Sequence, residues 1–289
     1  MLTSKQIVRG NSGFKKTPQR VVILDGFTWA DAIVLGVKPI GAPLKTWMPL
    51  LQLAPEQSQG IVDVGFLPTN VEKVLALKPD LILGADWYDR DIYKLLLHIA
   101  PIVTIYTKEK PDWKDHLIQV AQALGKIESA QTFITEYNKR LQKFKATMGD
   151  KLSQTPILVV GPRNDRTYRV FTWEKGSFSN GILEDAGFTV LAPKCQSKKI
   201  ETNGNFLVSW ESLDLIDGNV IFLTHPNFGP EGEHQRVLKQ HQATPLWSRL
   251  KSVQQRKVYQ VGISWVGNGP IAANRALDDL FKYLLNSES

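Results

Sequence analysis

Residues 126–151, KIESAQTFITEYNKRLQKFKATMGDK, place apolar side chains at Ile127, Ala130, Ile134, Tyr137, Leu141, Phe144 and Met148, with Lys, Glu and Gln between them. Recurrence at three- and four-residue steps marks one face of an α-helix. At 1.5 Å per residue, about 20 to 24 helical residues span about 30 to 36 Å, the width of a small domain. Gly125 closes the preceding helical segment, Glu128 lies in the first turn, and Lys143 and Lys145 lie near the last. Those charges suit the helix dipole at both ends. The stretch is expected to be a single long helix with a strand-rich half of the chain on either side.

Working outward, Arg20 to Leu24 (RVVIL) is a continuous apolar run of the kind buried in a parallel sheet, and Thr28 to Gly36 is a helix closed by glycine. VKPIGAP follows as another strand and turn. Beyond the long helix, Ile157 to Gly161 (ILVVG) is again a buried strand. A hairpin containing Tyr168 to Trp173 comes next, and Phe178 to Gly187 is a second helix closed by glycine and followed by FTVLAP. A closer echo aligns VEKVLALKPDLIL (71–83) with WESLDLIDGNVIF (210–222) without a gap, Glu211 standing 139 residues after Glu72. Each reads as a short helix beginning with an acidic residue, a turn at Pro79 or Gly218, and a buried strand. Two echoes in the same order on both sides of one helix point to an internal duplication. The expected fold is α/β, two Rossmann-like lobes joined by a single long α-helix. Residues 1–17 form an N-terminal extension, 18–124 the first lobe, 126–151 the connecting helix and 155–289 the second lobe.

Composition narrows the function. The 289 residues are 43% hydrophobic, enough for a sizeable core, and no apolar run approaches the length needed to cross a bilayer. Residues 1–17 are polar and basic, without the apolar stretch of a secretion signal. The single cysteine, Cys195, excludes an internal disulfide and a cysteine metal cluster. A net charge of +7 favours an anionic partner. The basic residues are dispersed rather than in runs, which argues against nucleic acid.

In open α/β sheets, ligands lie beyond the carboxyl ends of the strands, and two facing lobes make a cleft. The loops after the expected strands carry Trp47 and Lys45, then Trp87, Tyr88 and Arg90, then Arg163, Arg166, Arg169 and Trp173, and finally Trp265 and Asn268. Guanidinium groups beside aromatic faces suit a bulky anion. The hydrolase, zincin and P-loop signatures are all missing. Of the histidines, His225 at a strand end is the one placed like a site residue. His98 and His116 read as helix-surface or partly buried residues. His234 and His241, seven apart, could share a helix face but have no acidic partner at ligand spacing.

Six segments together resemble a known family, the class III periplasmic binding proteins that deliver ferric siderophores, haem, vitamin B12 and some metal ions to ABC importers. They are QRVVILDGFTWADAIVLGVKPIGAP, VDVGFLPTNVEKVLALKPDLILGA, KGSFSNGILEDAGF, VSWESLDLIDGNVIFLT, PLWSRLKSVQQRKVYQV and GPIAANRALDDL. With the long helix they extend the resemblance from Pro18 to Leu285. It implies a rigid two-lobed binding protein, not an enzyme. The implied ligand is a ferric siderophore of citrate or hydroxamate type, held in the inter-lobe cleft with the iron carried by the chelate and no direct protein metal ligand or cofactor. Glu72 and Glu211 stand where the family carries one glutamate per lobe to dock arginines of the permease dimer, which works with its ATPase. A monomeric, periplasmic protein is implied, with a lipid anchor in the full-length precursor as a variant. Ferric-hydroxamate binders carry an arginine shortly after D-V-G, where this chain has Phe66 and Leu67. A vitamin B12 or haem carrier of the same fold is the alternative reading, and an α/β enzyme acting on an anionic substrate a more distant one.

Overall fold

The structure, a computed structural model, describes residues 17–44, 55–85, 90–105, 112–173, 177–189, 199–202, 205–217, 220–224 and 233–285. The chain forms two compact units. Unit 1 comprises Met1–Tyr137 with Asn268–Ile271, and unit 2 comprises Asn138–Gly267 with Ala272–Ser289.

Unit 1 alternates strands and helices: β1 (Val21–Ile23), α1 (Gly26–Val34), β2 (Gly41–Ala42), β3 (Val62–Asp63), α2 (Val71–Leu77), β4 (Leu81–Ala85), α3 (Arg90–Leu97), β5 (Ile102–Ile105) and α4 (Trp113–Leu124). Its sheet has the order β3-β2-β1-β4-β5 with every pairing parallel. Helices on both faces bury a parallel sheet, so its central strands β1 and β4 are apolar, and Val22, Ile23, Leu81, Ile82 and Leu83 have no exposed surface. Asp80 accepts from the backbone N–H groups of Gln19 and Arg20, at 2.8 and 2.9 Å. The Arg20 guanidinium donates to the carbonyls of Leu77 and Lys78, which end α2. One strand start is thereby tied to the helix and the turn before its neighbour.

The long helix, α5 (Ile127–Met148), has 22 residues, and it does not lie outside either lobe. Its first half packs on α4, where Trp113 meets Phe133 and Tyr137 edge-on at 6.2 and 5.0 Å. Its second half packs in unit 2, with Phe144 against Phe188 at 5.9 Å and Phe281 at 5.3 Å. The division between the two units falls inside the helix, between Tyr137 and Asn138, within the connecting segment expected at 126–151. The apolar face that predicted the helix is filled by a different partner along each half.

Unit 2 continues with α6 (Lys151–Gln154), β6 (Ile157–Pro162), β7 (Thr167–Val170), a 3-10 turn at Phe171–Trp173, α7 (Phe178–Asp185), β8 (Lys199–Thr202) and β9 (Asn205–Ser209). After a 3-10 segment at Trp210–Ile216 come β10 (Val220–Thr224), α8 (Glu233–Gln242), α9 (Lys251–Gln254), β11 (Val258–Val261) and α10 (Pro270–Leu284). The sheet order is β11-β10-β6-β7-β9-β8. The first three strands are parallel, and the remaining pairings are antiparallel.

The internal echo is visible at two places. Helices α1 and α7 end in the same way: Gly36 and Gly187 take φ of 74° and 89°. The next residues, Val37 and Phe188, donate back to Ala32 and Leu183. This is the Schellman closure, which an L side chain resists and glycine adopts freely. The second echo departs from expectation. VEKVLAL forms the α-helix α2, but WESLDLI forms a 3-10 segment with non-helical dihedral angles at Ser212. Leu213, Leu215 and Ile216 are all buried there. At about 100° per residue an α-helix would spread these three side chains over about 160°, whereas the three-residue turn of a 3-10 helix gathers them within about 120°, and Ser and Asp compete for backbone bonds besides.

Candidate ligand and docking sites

Trp47, Trp87 and Tyr88 lie outside the described residues, as do Lys45 and His225. Arg90 opens α3 and Trp173 ends the 3-10 turn after β7. The remaining candidates belong to unit 2 and to the two echoed segments.

Three arginines lie on the β6–β7 hairpin. Gly161 eases the close approach of this hairpin to its neighbours, because a Cβ there would stand 3.1 Å from the Phe171 ring and 3.4 Å from the Thr224 carbonyl. Arg163 ends the paired segment, its N–H donating to the Thr167 carbonyl at 2.9 Å, and its guanidinium meets Asp165 at 3.2 Å. Burial pushes the Asp165 carboxyl up. Hydrogen bonds from Thr167 and Arg163, with the Arg163 charge, outweigh it and hold the group below the usual carboxylate range. Arg166 turns the hairpin at φ 59° and holds its guanidinium 5.6 Å from the centre of the Trp210 ring. Arg169 lies 4.7 Å from the Phe171 ring. The hairpin thus offers two cations over aromatic faces, Arg166 and Arg169, and two arginines exposed at the turn, Arg163 and Arg166, where an anion can reach them.

Beneath the hairpin, His241 is fully buried, edge-on to Tyr168 at 4.5 Å and to Trp210 at 4.4 Å. Its Nε2 receives the Trp210 indole N–H at 3.1 Å and lies 2.9 Å from the Arg163 carbonyl. The first contact needs a lone pair on Nε2 and the second a proton, so one neutral tautomer satisfies only one of them. Its Nδ1 is buried without a partner. Burial holds the imidazole pKa below its ordinary value despite the Arg163 carbonyl and the Asp165 charge. The same burial pushes the Tyr168 phenol far upward.

Trp265, expected near a ligand, is enclosed in the core of unit 2. It has no exposed surface, meets Phe222 at 4.8 Å, and donates its indole N–H to Asp279 at 2.9 Å. Its carbonyl accepts from the Ser179 hydroxyl. A satisfied indole packed on all sides is a structural residue.

Glu72 and Glu211 share one position relative to a capping residue. Asn70 caps α2 by accepting from the Lys73 N–H at 2.9 Å, and Ser209 caps the 3-10 segment by accepting from the Glu211 N–H at 3.4 Å. Each glutamate is therefore the second residue after its cap, and each is exposed. Within the aligned pair of segments, apolar positions match where they are buried, as with Val74 and Leu213 or Ile82 and Ile221. At the exposed positions only the glutamate recurs.

One cluster escaped the sequence reading. Asp31 on α1 and His116 on α4 meet at 2.5 Å, both buried. Burial pushes the Asp31 carboxyl up and outweighs the pull of His116. For His116, burial acts downward, and the Asp31 charge and hydrogen bond overcome it to hold the imidazole pKa above its usual value. The partners are 85 residues apart, and helical spacing alone offered no sign of the pair. Among the described residues, no group of three His, Cys, Asp or Glu is placed to hold a metal ion.

Comparison with known proteins follows the same outline. The sequence profile of the family described as Periplasmic binding protein matches residues 21–262. The Probable siderophore-binding lipoprotein YfiY of Bacillus subtilis is 29% identical over 99% of this chain and 88% of its own. The Fe(3+) dicitrate-binding periplasmic protein FecB of Escherichia coli is 27% identical over 94% and 87%. The crystal structure of Staphylococcus aureus SirA complexed with staphyloferrin B superposes with a TM-score of 0.76 at 26% identity, covering 98% of both chains. Two α/β lobes sharing one long helix, the family profile across both of them, and a fold match over nearly the whole length agree: the chain belongs to the periplasmic binding protein family, as a class III member.

Proposed function

We propose that this protein is the substrate-binding component of an ABC importer, that it carries a ferric siderophore of citrate or hydroxamate type, and that it delivers the intact chelate to a membrane permease without chemical turnover. The observation that carries this reading is the length of the similarity: relatives named for siderophore or Fe(3+)-dicitrate binding align over 94–99% of the chain. The exposed Arg163 and Arg166 of the β6–β7 hairpin supply cationic groups for an anionic chelate, and Trp210 supplies an aromatic face. Iron arrives within its chelate, so the protein needs no metal ligands of its own. Relatives described as periplasmic proteins or lipoproteins support a location outside the inner membrane. Glu72 and Glu211, identically placed after their caps, present carboxylates to arginines of the permease.

Titration with ferric citrate, ferric hydroxamate and ferric catecholate chelates tests the ligand. Quenching of tryptophan fluorescence by at least one chelate, and none by free iron, is expected. A flat response to the whole panel would refute the siderophore assignment. For docking, the double variant Glu72→Ala/Glu211→Ala should keep ligand affinity and lose uptake into cells. Undiminished uptake would remove the docking role.

A further inference from the structure

The two echoed segments agree at their glutamates and disagree around them. In α2, Leu75 stands three residues after Glu72, on the same helix face, and at 59% exposure it is the most exposed large apolar side chain among the described residues. Its counterpart 139 residues later is Asp214, also exposed. Charge diverges in the same direction. Over Val71–Lys78 the ionisable residues are Glu72, Lys73 and Lys78, one net positive charge. Over Trp210–Asp217 they are Glu211, Asp214 and Asp217, three negative charges, which the Arg166 guanidinium over the Trp210 ring offsets only in part. Lys73 is engaged with the Asp63 carbonyl at 2.8 Å, and Asp217 caps α9 by accepting from the Lys251 and Ser252 N–H groups. Leu75 and Asp214, by contrast, have no side-chain hydrogen bond or ion pair among the described residues and are both exposed.

We propose that the importer-docking surface is chemically polarised, with an apolar, weakly charged half around Glu72 and Leu75 and an acidic half around Glu211 and Asp214. The partner is the membrane permease, and its two receiving surfaces differ: one pairs a cation with an apolar patch, the other carries an excess of cations. This rests on the docking role of the glutamates and adds an orientation to it. Two identical segments would give the permease no means of telling one lobe from the other; unlike segments penalise the exchanged pairing, with Leu75 on the cationic surface and Asp214 on the apolar one.

The test measures binding of the ligand-loaded protein to the purified permease–ATPase complex in lipid nanodiscs, at low salt and at about 0.5 M salt, where the screening length falls to a few ångströms. Asp214→Asn should weaken binding about 10-fold at low salt and leave it unchanged at high salt, as expected for a lost charge pair. Leu75→Asn should weaken binding about 10-fold at both, as expected for a lost apolar contact. Ligand quenching and thermal unfolding should match the parent for both exposed-site variants. Unchanged affinity in either variant overturns the polarised surface, as does the same salt response in both. So does a parent protein that sediments as a dimer and becomes monomeric on Leu75→Asn, since a second copy would then cover the leucine. Glu72→Ala/Glu211→Ala separates the two levels of the idea. If that variant fails to bind while the Leu75 and Asp214 variants bind normally, docking by the glutamates stands and only the polarity falls; if it binds normally, the docking role itself falls.

Discussion

In the first lobe β1 passes through Leu24 and Asp25 straight into α1, and Asp25 caps that helix by accepting from the Phe27 and Thr28 N–H groups at 3.0 and 2.9 Å. In the second lobe β6 first folds back as β7, and only after a 3-10 turn does α7 begin, capped by Ser177. The inserted hairpin changes the sheet: β2 and β3 of the first lobe are parallel additions, whereas β7, β9 and β8 of the second are antiparallel. It also brings Arg163, Arg166 and Arg169, which have no counterpart between β1 and α1. The comparison separates framework from cargo chemistry. What the lobes share, buried parallel strands and glycine-closed helices, supports the fold; what one lobe has alone is where ligand recognition is expected.

The two lobes also differ in how they hold an ion pair. Asp31 and His116 in the first are buried, whereas the side chains of Arg163 and Asp165 in the second are about half exposed, at 46% and 50%. Removing one partner of a buried pair strands the other and costs about 3–5 kcal/mol, whereas exposed pairs contribute about 0–1 kcal/mol. Asp31→Ala should therefore lower unfolding stability by about 3–5 kcal/mol at pH 6, measured by urea denaturation. Arg163→Ala should change it by less than about 1 kcal/mol. Equal effects would erase the distinction between a structural pair and a surface one. The ranking reverses for binding. Arg163→Ala and Arg166→Ala should each weaken ferric-siderophore affinity by about 1–3 kcal/mol in fluorescence titration, the range for hydrogen bonds to charged groups. Unchanged affinity would return the hairpin to the role of a solvated face.

Much of this was legible in sequence because it depends on local pattern. The apolar steps of α5, the glycines after α1 and α7, and the VVI and LIL runs of β1 and β4 each state a period or a terminus. What escaped depends on contacts distant in sequence. The apolar face of α5 gave the helix, but not that Trp113 would claim its first half and Phe281 its second. WESLDLI carries the same acidic start as VEKVLAL, yet it takes a 3-10 path with Leu213, Leu215 and Ile216 buried, which its acidic start does not announce. Trp265 follows a strand as a ligand-facing residue would, and nothing local announces that Asp279 and Phe222 enclose it. The Asp31–His116 pair is invisible without the packing of α1 on α4.

The smallest expected effect is the sharpest on the lobes' chemistry, because their buried histidines titrate in opposite senses. His116 has a folded-state pKa above its unfolded value near 6.5. Its contribution is complete below that value and is lost as pH rises through the folded value. The raised Asp31 carboxyl acts in the same direction, since the folded state again binds the proton more tightly. His241 is the reverse. Its pKa is depressed from 6.5, so its contribution is present above that value and is lost as pH falls through the folded one. One proton changes stability by no more than about 1.4 kcal/mol per pH unit. Stability should therefore be greatest near neutrality and decline on both sides, the acid limb from the second lobe and the alkaline limb from the first. Denaturation curves between pH 5 and 9 should show the alkaline decline flattened in His116→Gln and the acid decline flattened in His241→Gln. If both substitutions flatten the same limb, the two histidines do not differ as their surroundings require, because burial prevails at His241 and lowers its pKa, whereas at His116 the Asp31 charge and hydrogen bond overcome burial and raise it.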